Sequence, residues 1–374
     1  MFKNIIKKSV FLIAIIFLFY LSYLVKNFQL LLISFCFLLS FCFFFKMINK
    51  NFLQTLLTIL VALTIIELTL FFKNYDKIIN INSKKNLSKH IEYKKTYLGS
   101  QPLSGKQYHK VISNGVTKTN ANYTINKNNF RHTPSINDLV KTKRLNFFGD
   151  SLTFGWGLND DETLPYLTQD YLKKWNINNY ALPGWGMHQM LAHIEKDTGV
   201  IGDINIAVIF DVHIPIATCK RDFTFGTPKY IFNKKKEIIR SGYCNFGFID
   251  ILPLPDIFGL IIKRSQIKIL IDKIYVRKSL YNDKNIELFL GIVKKINEII
   301  LNNEKKFIVG YMSEGTEIDR YILDELKKNN IKIIDLTLDK NDIKNELLDG
   351  YPSMEANLKR SLMIWNDLKN TFDE

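Results

Sequence analysis

The sequence predicts an α/β domain built on a parallel β-sheet and preceded by helices that cross a membrane. Two observations carry this prediction. Three long apolar runs crowd the first 73 residues, and after residue 142 short apolar segments alternate with amphipathic segments of helical periodicity. Alternating strands and helices form a parallel sheet that helices cover on both faces. We therefore divide the chain into a membrane anchor (1–73), a linker with a small β-rich part (74–142) and an α/β domain (143–374).

The membrane anchor is predicted from three apolar runs, Val10–Val25, Phe28–Phe45 and Phe52–Phe72. A helix that crosses the hydrocarbon core of a bilayer needs about 20 residues, with a range of about 17–25. The third run has that length, and the first two are near its lower limit. No small-residue cleavage site follows the first run, so we interpret it as a signal anchor rather than a removed signal peptide.

The orientation of the anchor follows from the lysines that flank these runs. Several lysines precede the first run and others separate the second from the third, whereas Lys26 alone lies between the first and the second. Because positively charged segments stay in the cytoplasm, the N-terminus is predicted inside and everything after Phe72 outside. The expected location is the inner (cytoplasmic) membrane, crossed several times, with the soluble domain outside the cytoplasm.

The composition limits the classes of partner. The formal net charge of +15 is compatible with binding to nucleic acid or to an anionic membrane surface. However, the lysines form no basic stripe with interleaved aromatic residues, so no nucleic-acid partner is expected. The four cysteines match no metal-binding spacing. Cys219 and Cys244 fall in a compartment predicted to be oxidising, so we predict a disulfide between them, with free thiols as the alternative.

The linker is polar and has little periodicity in its first part. From His109 to Arg131 it alternates in places and contains an Asn-Gly pair at 114–115, which is a turn signal. A small β-hairpin is therefore predicted just before the α/β domain.

The α/β domain contains segments of strand type and of helix type in alternation. The predicted strands are, in order, RLNFFG, INNYAL, INIAVIFD, KFIVGYM and IKIIDLTL. The predicted helices are ETLPYLTQDYLKKW, MHQMLAHIEKDTG, IELFLGIVKKINEIILNNEKK, EIDRYILDELKKNN and SMEANLKRSLMIWNDLKNTF. Residues from about 214 to 284 interrupt the alternation, and we interpret them as an insertion. In parallel sheets, ligands bind at the carboxyl ends of the strands.

Ser151 is the candidate catalytic residue that this arrangement singles out. It follows the first predicted strand in the stretch FFGDSLTFGWG, where the chain turns from the sheet into a loop and helix. Backbone N–H groups at the start of a helix can face an anion, which suits a nucleophile and part of an oxyanion hole. Serine is also a favoured N-cap residue, so a structural role is the alternative.

Four segments of the domain carry a resemblance to a known family. FFGDSLTFGWGLNDDETLP resembles the first block of the SGNH, or GDSL, hydrolases, and NNYALPGWGMHQML resembles the second, with Asn179 and Gly184 at its asparagine and glycine. VIFDVHI occupies the position of the third block, and LLDGYPSMEANLKRSL resembles the last. The resemblance covers roughly 143–374 except for the insertion. It implies a three-layer α/β/α, flavodoxin-like domain with no cofactor and no metal.

The resemblance also implies roles for individual residues. The first-block serine of the family is the nucleophile, and its backbone N–H contributes to the oxyanion hole. The second-block glycine adds another N–H, a third-block asparagine adds a side-chain donor, and a final histidine oriented by an aspartate is the base. Carried over to this chain, these roles fall on Ser151, Gly184 and Asp349.

Two positions depart from the family pattern. Asp211 and His213 stand where the third block has its asparagine; an ionised aspartate cannot donate a hydrogen bond, whereas a histidine can. Tyr351 stands where the last block has its histidine, and a phenol with a pKa of about 10 is a poor base near pH 7. His213 or His188, which follow the third and second blocks, are the candidates for a relocated base. Ordinary buried or site-wall histidines are the alternative.

The function that the resemblance implies is therefore conditional on the base. The leading interpretation is a membrane-anchored extracytoplasmic esterase, O-acyl transferase or deacetylase that acts on cell-envelope glycans through Ser151. The alternative is a catalytically lapsed domain that binds a glycan or a protein partner at the same place. A weaker alternative is a membrane scaffold whose soluble domain packs against a partner. Tyr351 leaves open whether the protein is an enzyme, and the oligomeric state is not predicted.

Overall fold

The computed structural model describes residues 91–113, 116–137, 140–244, 280–339, 341–348 and 350–372, and a few helical positions between 58 and 69. The predicted membrane runs, the second half of the predicted insertion and Asp349 therefore lie outside the described residues. Within the described part of the chain, no helix is long and apolar enough to cross a membrane. The linker hairpins and the α/β domain belong to one compact unit, which spans 84–246 and 280–374.

The strands of this unit are numbered in chain order. They are β1 (Tyr93–Thr96), β2 (Gly99–Pro102), β3 (Gly105–Ser113), β4 (Val116–Ile125), β5 (Lys143–Phe148), β6 (Trp175–Asn179), β7 (Ile204–Ile209), β8 (Pro228–Phe232), β9 (Ile238–Tyr243), β10 (Lys306–Tyr311) and β11 (Lys332–Asp335). The helices are α1 (Ser151–Phe154), α2 (Leu164–Thr168), α3 (Met187–Lys196), α4 (His213–Ala217), α5 (Asp283–Asn302), α6 (Glu317–Lys328) and α7 (Met354–Phe372).

The central sheet has the strand order β11-β10-β7-β5-β6, and every neighbouring pair is parallel. Numbered within the sheet, this order is 2-1-3-4-5, which is the flavodoxin-like order. The direction of winding reverses between β5 and β7. In such sheets the binding crevice lies outside the carboxyl ends of the two strands at that reversal. The residues that follow β5 and β7 are Ser151 and the Asp211–His213 segment, so the fold brings two of the predicted site segments to this crevice.

Helices cover the sheet on both faces, which confirms the predicted three-layer arrangement. Leu191 of α3, Phe289 of α5 and Ile322 of α6 belong to one buried core. Leu164 of α2 and Ile364 of α7 belong to the other. All residues of the central strand β7 are buried. This burial accounts for the nearly continuous apolar sequence of β7, because a parallel strand covered on both faces has no solvent-exposed side.

The helix α2 is shorter than the sequence predicts. The periodicity of ETLPYLTQDYLKKW predicts a helix over its whole length, but α2 ends at Thr168 and Trp175 already begins β6. After α2 the chain continues in tight turns, and the buried side chain of Gln169 donates to the carbonyl of Pro134 at 2.7 Å. Trp175 pairs with Lys143 in the sheet. The requirement to enter the sheet in register with β5 thus overrides the helical pattern.

Two-stranded antiparallel ribbons flank the α/β core. β3–β4 precedes it where the alternation in the linker predicts a hairpin, and β1–β2 lies in the earlier part of the linker, where the sequence predicts no strand. β8–β9 lies in the predicted insertion. A disulfide joins Cys219, just after α4, to Cys244, just after β9. The Cα atoms are 5.3 Å apart, within the usual range of about 4.4–6.8 Å. The predicted disulfide is therefore confirmed, and it ties the β8–β9 ribbon to the helix that follows β7.

Candidate active site

Ser151 is the first residue of α1, at the carboxyl end of β5. The N-cap of this helix is Asp150, whose carboxylate accepts from the N–H of Leu152 at 2.9 Å. Ser151 therefore does not have the capping role that was the structural alternative. Its side chain is half-buried, and its Oγ makes no hydrogen bond to any residue that the structure describes. The hydroxyl is thus available at the mouth of the crevice.

The turn before Ser151 requires a glycine. A Cβ atom at Gly149 would lie 2.5 Å from Oγ1 of Thr153 and 3.0 Å from the carbonyl oxygen of Val208. The first distance is shorter than real Cβ contacts, and the second is a tight contact with backbone. The close approach of Thr153 and of β7 to this turn therefore explains the glycine at position 149.

A buried arginine holds the other end of the α1 turn. Arg131 Nη1 donates to the carbonyls of Phe154 at 3.0 Å and Gly155 at 2.7 Å, and Nη2 donates to the carbonyl of Leu158 at 2.6 Å. Its Nε forms an ion pair with Asp160 at 3.0 Å. Burial lowers the pKa of Arg131, and the Asp160 carboxylate opposes this shift. A cation at the carbonyl end of a helix satisfies acceptors that the helix leaves unpaired.

Two backbone donors are available for an oxyanion. The N–H of Ser151, at the first helical position, and the N–H of Gly184, in the loop after β6, have no acceptor among the described residues. The two loops run side by side, because the N–H of Leu182 donates to the carbonyl of Gly149 at 3.3 Å. Gly184 has a φ of +76°, a left-handed conformation that favours glycine. A cavity of about 290 Å³ opens beside Gly184 and Trp185.

Asn179 holds these loops together. Its side chain is buried, and its Nδ2 donates to the carbonyl of Thr153 at 3.1 Å while its Oδ1 accepts from the N–H of Ala181 at 3.1 Å. Both ends of the carboxamide are therefore engaged within the protein. Asn179 positions α1 against the Gly184 loop.

His213 lies at the start of α4 and is fully buried. Its Nδ1 accepts from the N–H of Phe210 at 3.3 Å, which leaves the ring proton on Nε2. Nε2 has no partner among the described residues. Burial lowers the pKa of His213, and the Asp150 carboxylate, whose own pKa burial raises, opposes this shift. His213 is therefore a neutral imidazole that interacts electrostatically with Asp150, the N-cap of α1, while Asp211 is half-buried.

His188 does not face solvent either. It is fully buried in α3, with Nε2 3.0 Å from Oγ1 of Thr227. Burial, together with the nearby His213, lowers the pKa of His188 to about 3. Both candidate replacement bases are thus withdrawn from solvent.

Tyr351 packs against Trp156, which follows the end of α1. Its ring centroid lies 6.3 Å from that of Trp156, and its carbonyl accepts from the N–H of Leu347 at 2.7 Å. Trp156 in turn lies 4.3 Å from the ring of His109, which is fully buried. No sequence motif connects His109 with these aromatic residues. The available signal was its position in the alternating strand β3, where it pairs with the buried Ala121.

No model of a protein family matches the sequence, and no curated protein matches it significantly. Among the described residues, no cluster of His, Cys, Asp and Glu side chains has the arrangement of a metal site.

Several solved structures are similar to the chain. A member of the lipolytic G-D-S-L protein family from Veillonella parvula is 12% identical, with a TM-score of 0.35, over 62% of this chain and 100% of that one. TesA is 10% identical, with a TM-score of 0.36, over 61% and 99%. The psychrotrophic esterase EstA from a Pseudoalteromonas species is 9% identical, with a TM-score of 0.34, over 62% and 100%. These neighbours include the family that the motifs resemble, but similarity this slight carries no conclusion about the site.

Proposed function

We propose that the domain is an SGNH-type acyl hydrolase or acyl transferase whose nucleophile is Ser151. The observation that carries the proposal is the placement of a free serine hydroxyl at the N-terminus of α1, where the winding of the parallel sheet reverses. The N–H groups of Ser151 and Gly184 support an oxyanion hole, since both are unengaged among the described residues. The motif resemblance indicates the same chemistry.

The proposed reaction is the transfer of an acyl group from an ester. Ser151 Oγ attacks the carbonyl carbon, and the negative charge that develops on the carbonyl oxygen is stabilised by the two N–H groups. The bond to the alcohol oxygen then breaks, the alcohol leaves with the proton of Ser151, and water or a second hydroxyl takes the acyl group from the serine. Because Tyr351 occupies the place of the base, we expect slow turnover. A general base contributes about 10²–10⁴-fold.

The proposed setting is the outer side of the cytoplasmic membrane. The three apolar runs and the lysines that flank them support a membrane anchor. The disulfide between Cys219 and Cys244 supports an oxidising compartment. We propose O-acyl groups of cell-envelope glycans as substrates, because these are the esters that an anchored domain would meet there.

A second function is favoured by a specific observation. Tyr351 stands in the place of the base, and His188 and His213 are both fully buried. A domain with this arrangement could retain an ester- or glycan-binding crevice without hydrolysing its ligand. In that case Ser151 would contact the ligand but would not react.

Labelling with a fluorophosphonate, followed by intact mass analysis, tests the proposal. If the domain is a hydrolase with Ser151 as nucleophile, the parent chain should carry one adduct and Ser151→Ala should carry none. Ser104→Ala is the matched control, because Ser104 is an exposed serine in the loop before β3, and it should label like the parent. Equal labelling of the parent and Ser151→Ala would refute the nucleophile. If neither the parent nor Tyr351→His is labelled, the binding domain is the favoured function.

A further inference from the structure

A second cavity opens beside Leu152, the residue that follows Ser151. It has a volume of about 190 Å³ and lies beyond the carboxyl ends of β10 and β11. Leu152, Phe210, Met312, Thr337, Pro352 and Arg360 contribute to its lining. Leu152 directly follows the candidate nucleophile, and Pro352 directly follows Tyr351. Pockets that enclose a whole small ligand measure about 300–1,000 Å³, so this one has room for a single group of a larger substrate.

Arg360 of α7 is a half-buried cation without an ion-pair partner among the described residues. Its Nε donates to the carbonyl of Leu336 at 3.1 Å, and its two Nη groups make no hydrogen bond within the described part of the chain. The preceding residue is different, because Lys359 Nζ pairs with Asp342 at 2.7 Å. Burial lowers the pKa of Arg360 to about 10, so the guanidinium stays charged at neutral pH.

Acidic residues at the rim of the cavity do not neutralise this charge. Glu314, Asp339 and Glu346 also line the cavity, but all three residues are exposed. None forms an ion pair with Arg360. Asp339 instead accepts from the N–H of Asn341 at 2.9 Å. A half-buried guanidinium that lines a cavity and has free Nη donors is suited to an anionic ligand.

We propose that this cavity is a subsite for a carboxylate carried by the substrate, held by the two Nη groups of Arg360. The planar guanidinium fork matches a carboxylate with two parallel hydrogen bonds. The proposal rests on the proposed function, since it takes the carboxylate to belong to the ester that Ser151 attacks. The substrate would be an ester whose acyl or alcohol part carries a carboxylate, such as an O-acylated acidic sugar or a half-ester of a dicarboxylic acid.

Paired esters test the subsite in the full-length chain. 4-Acetoxybenzoate and its methyl ester place the charge on the alcohol side. Phenyl hydrogen succinate and phenyl propionate place it on the acyl side. The parent should favour the charged member of at least one pair in kcat/KM by about tenfold or more, as expected for a hydrogen-bonded charge. The pair that shows the preference tells whether the carboxylate belongs to the acyl part or to the alcohol part of the substrate. No preference in either pair would overturn the proposal.

Substitutions at Arg360 assign the preference to this residue. Arg360→Gln should abolish the preference for the charged ester, and Arg360→Lys should retain part of it as a point charge. Arg320→Gln is the matched control, because it removes the same charge from an exposed position on α6. If Arg320→Gln reduces the preference as much as Arg360→Gln, the net charge of the protein is responsible and the subsite is refuted. Thermal denaturation confirms that each variant is folded.

A binding measurement separates this proposal from the proposed function. In a Ser151→Ala background, calorimetric titration with 4-acetoxybenzoate and phenyl hydrogen succinate should show binding of at least one. The matching neutral ester should bind about tenfold more weakly. Adding Arg360→Gln should abolish the difference. This result would support the subsite even if the parent hydrolyses no ester. Equal affinity for the charged and neutral members of both pairs would overturn the subsite even if the parent is an active esterase.

Discussion

Arg131 donates a hydrogen bond from Nη1 to the carbonyl oxygen of Gly155 at 2.7 Å, across a separation of 24 residues. The arginine follows the β3–β4 ribbon, whereas Gly155 ends the helix that begins at Ser151. The guanidinium also lies over the ring of Tyr123, with Cζ 4.3 Å from the ring centroid. The linker is therefore part of the site, because it holds the turn that presents the candidate nucleophile.

We expect Arg131→Gln to lower the free energy of unfolding by about 3–5 kcal/mol, the usual effect of breaking a buried ion pair. The substitution leaves Asp160 without its cation and removes donors from the carbonyls at the end of α1. Arg131→Lys should recover part of the loss, because it keeps the charge but not the fork. Urea denaturation measures the free energy of unfolding of both variants, with Arg320→Gln as the control at an exposed position. A loss below about 1 kcal/mol for Arg131→Gln would show that the arginine does not hold the turn.

Under the proposed function, Tyr351→His should raise ester hydrolysis by about 10²–10⁴-fold, because it supplies a general base at the position where the hydrolases that the motifs resemble have one. The gained activity should rise with pH through about 6.5, the ordinary pKa of histidine, as the imidazole becomes neutral. Steady-state hydrolysis of 4-nitrophenyl acetate measures this.

Two variants control that experiment. Tyr351→Phe keeps the aromatic contact with Trp156 but adds no base, so its activity should equal that of the parent. Ser151→Ala in the Tyr351→His background should abolish the gain. An already active parent that Tyr351→His does not improve would point instead to a base elsewhere in the chain.

Cys219→Ser and Cys244→Ser should each destabilise the domain by about 2–4 kcal/mol, since a disulfide restricts the unfolded chain. The bonded residues are 25 positions apart, which gives a loop of intermediate length. The measurement is urea denaturation with and without a reductant. The reductant should destabilise the parent to the same level and leave both variants unaffected. Cys36→Ser is the control, because it removes a cysteine outside the bonded pair. If the reductant does not destabilise the parent, the prediction is contradicted.

The domain should lose stability as the pH falls below about 6.5. Burial lowers the pKa of His188 to about 3 and that of His193 to about 4 in the folded chain. The unfolded chain binds protons to these residues near pH 6.5, so acid favours unfolding between that pH and the folded values. The stabilisation is fully present above about pH 6.5. Between pH 6.5 and pH 5, protonation of each histidine should lower the free energy of unfolding by roughly 2 kcal/mol.

Denaturation at pH 7.5 and pH 5 measures this dependence. His188→Gln can keep a polar contact with Thr227 without a group that titrates, so its pH dependence should be smaller than that of the parent. His132→Gln alters an exposed histidine and should leave the dependence unchanged. Equal pH dependence for the parent and His188→Gln would show that His188 is not kept neutral by burial.

The sequence by itself determined the architecture of the α/β domain and the place of Ser151. The alternation of apolar strands and amphipathic helices is a local property, and short stretches such as RLNFFG show it without reference to the rest of the chain. Once the sheet is parallel, the residues after its strands must gather at one edge, which brings Ser151 and the Asp211–His213 segment together. The cysteines limited the disulfide to a single pair in the soluble part.

Only the tertiary structure decided which side chains surround the serine and which are withdrawn from it. Burial of His188 and His213 depends on packing between α3, α4 and the β8–β9 ribbon, and no local pattern reports such packing. The contact of Arg131 with the end of α1 likewise joins residues that are far apart in sequence. The early end of α2 has the same cause, because entry of Trp175 into the sheet outweighs the local preference for a helix. Distant contacts of this kind depend on how the layers pack, which local periodicity does not encode.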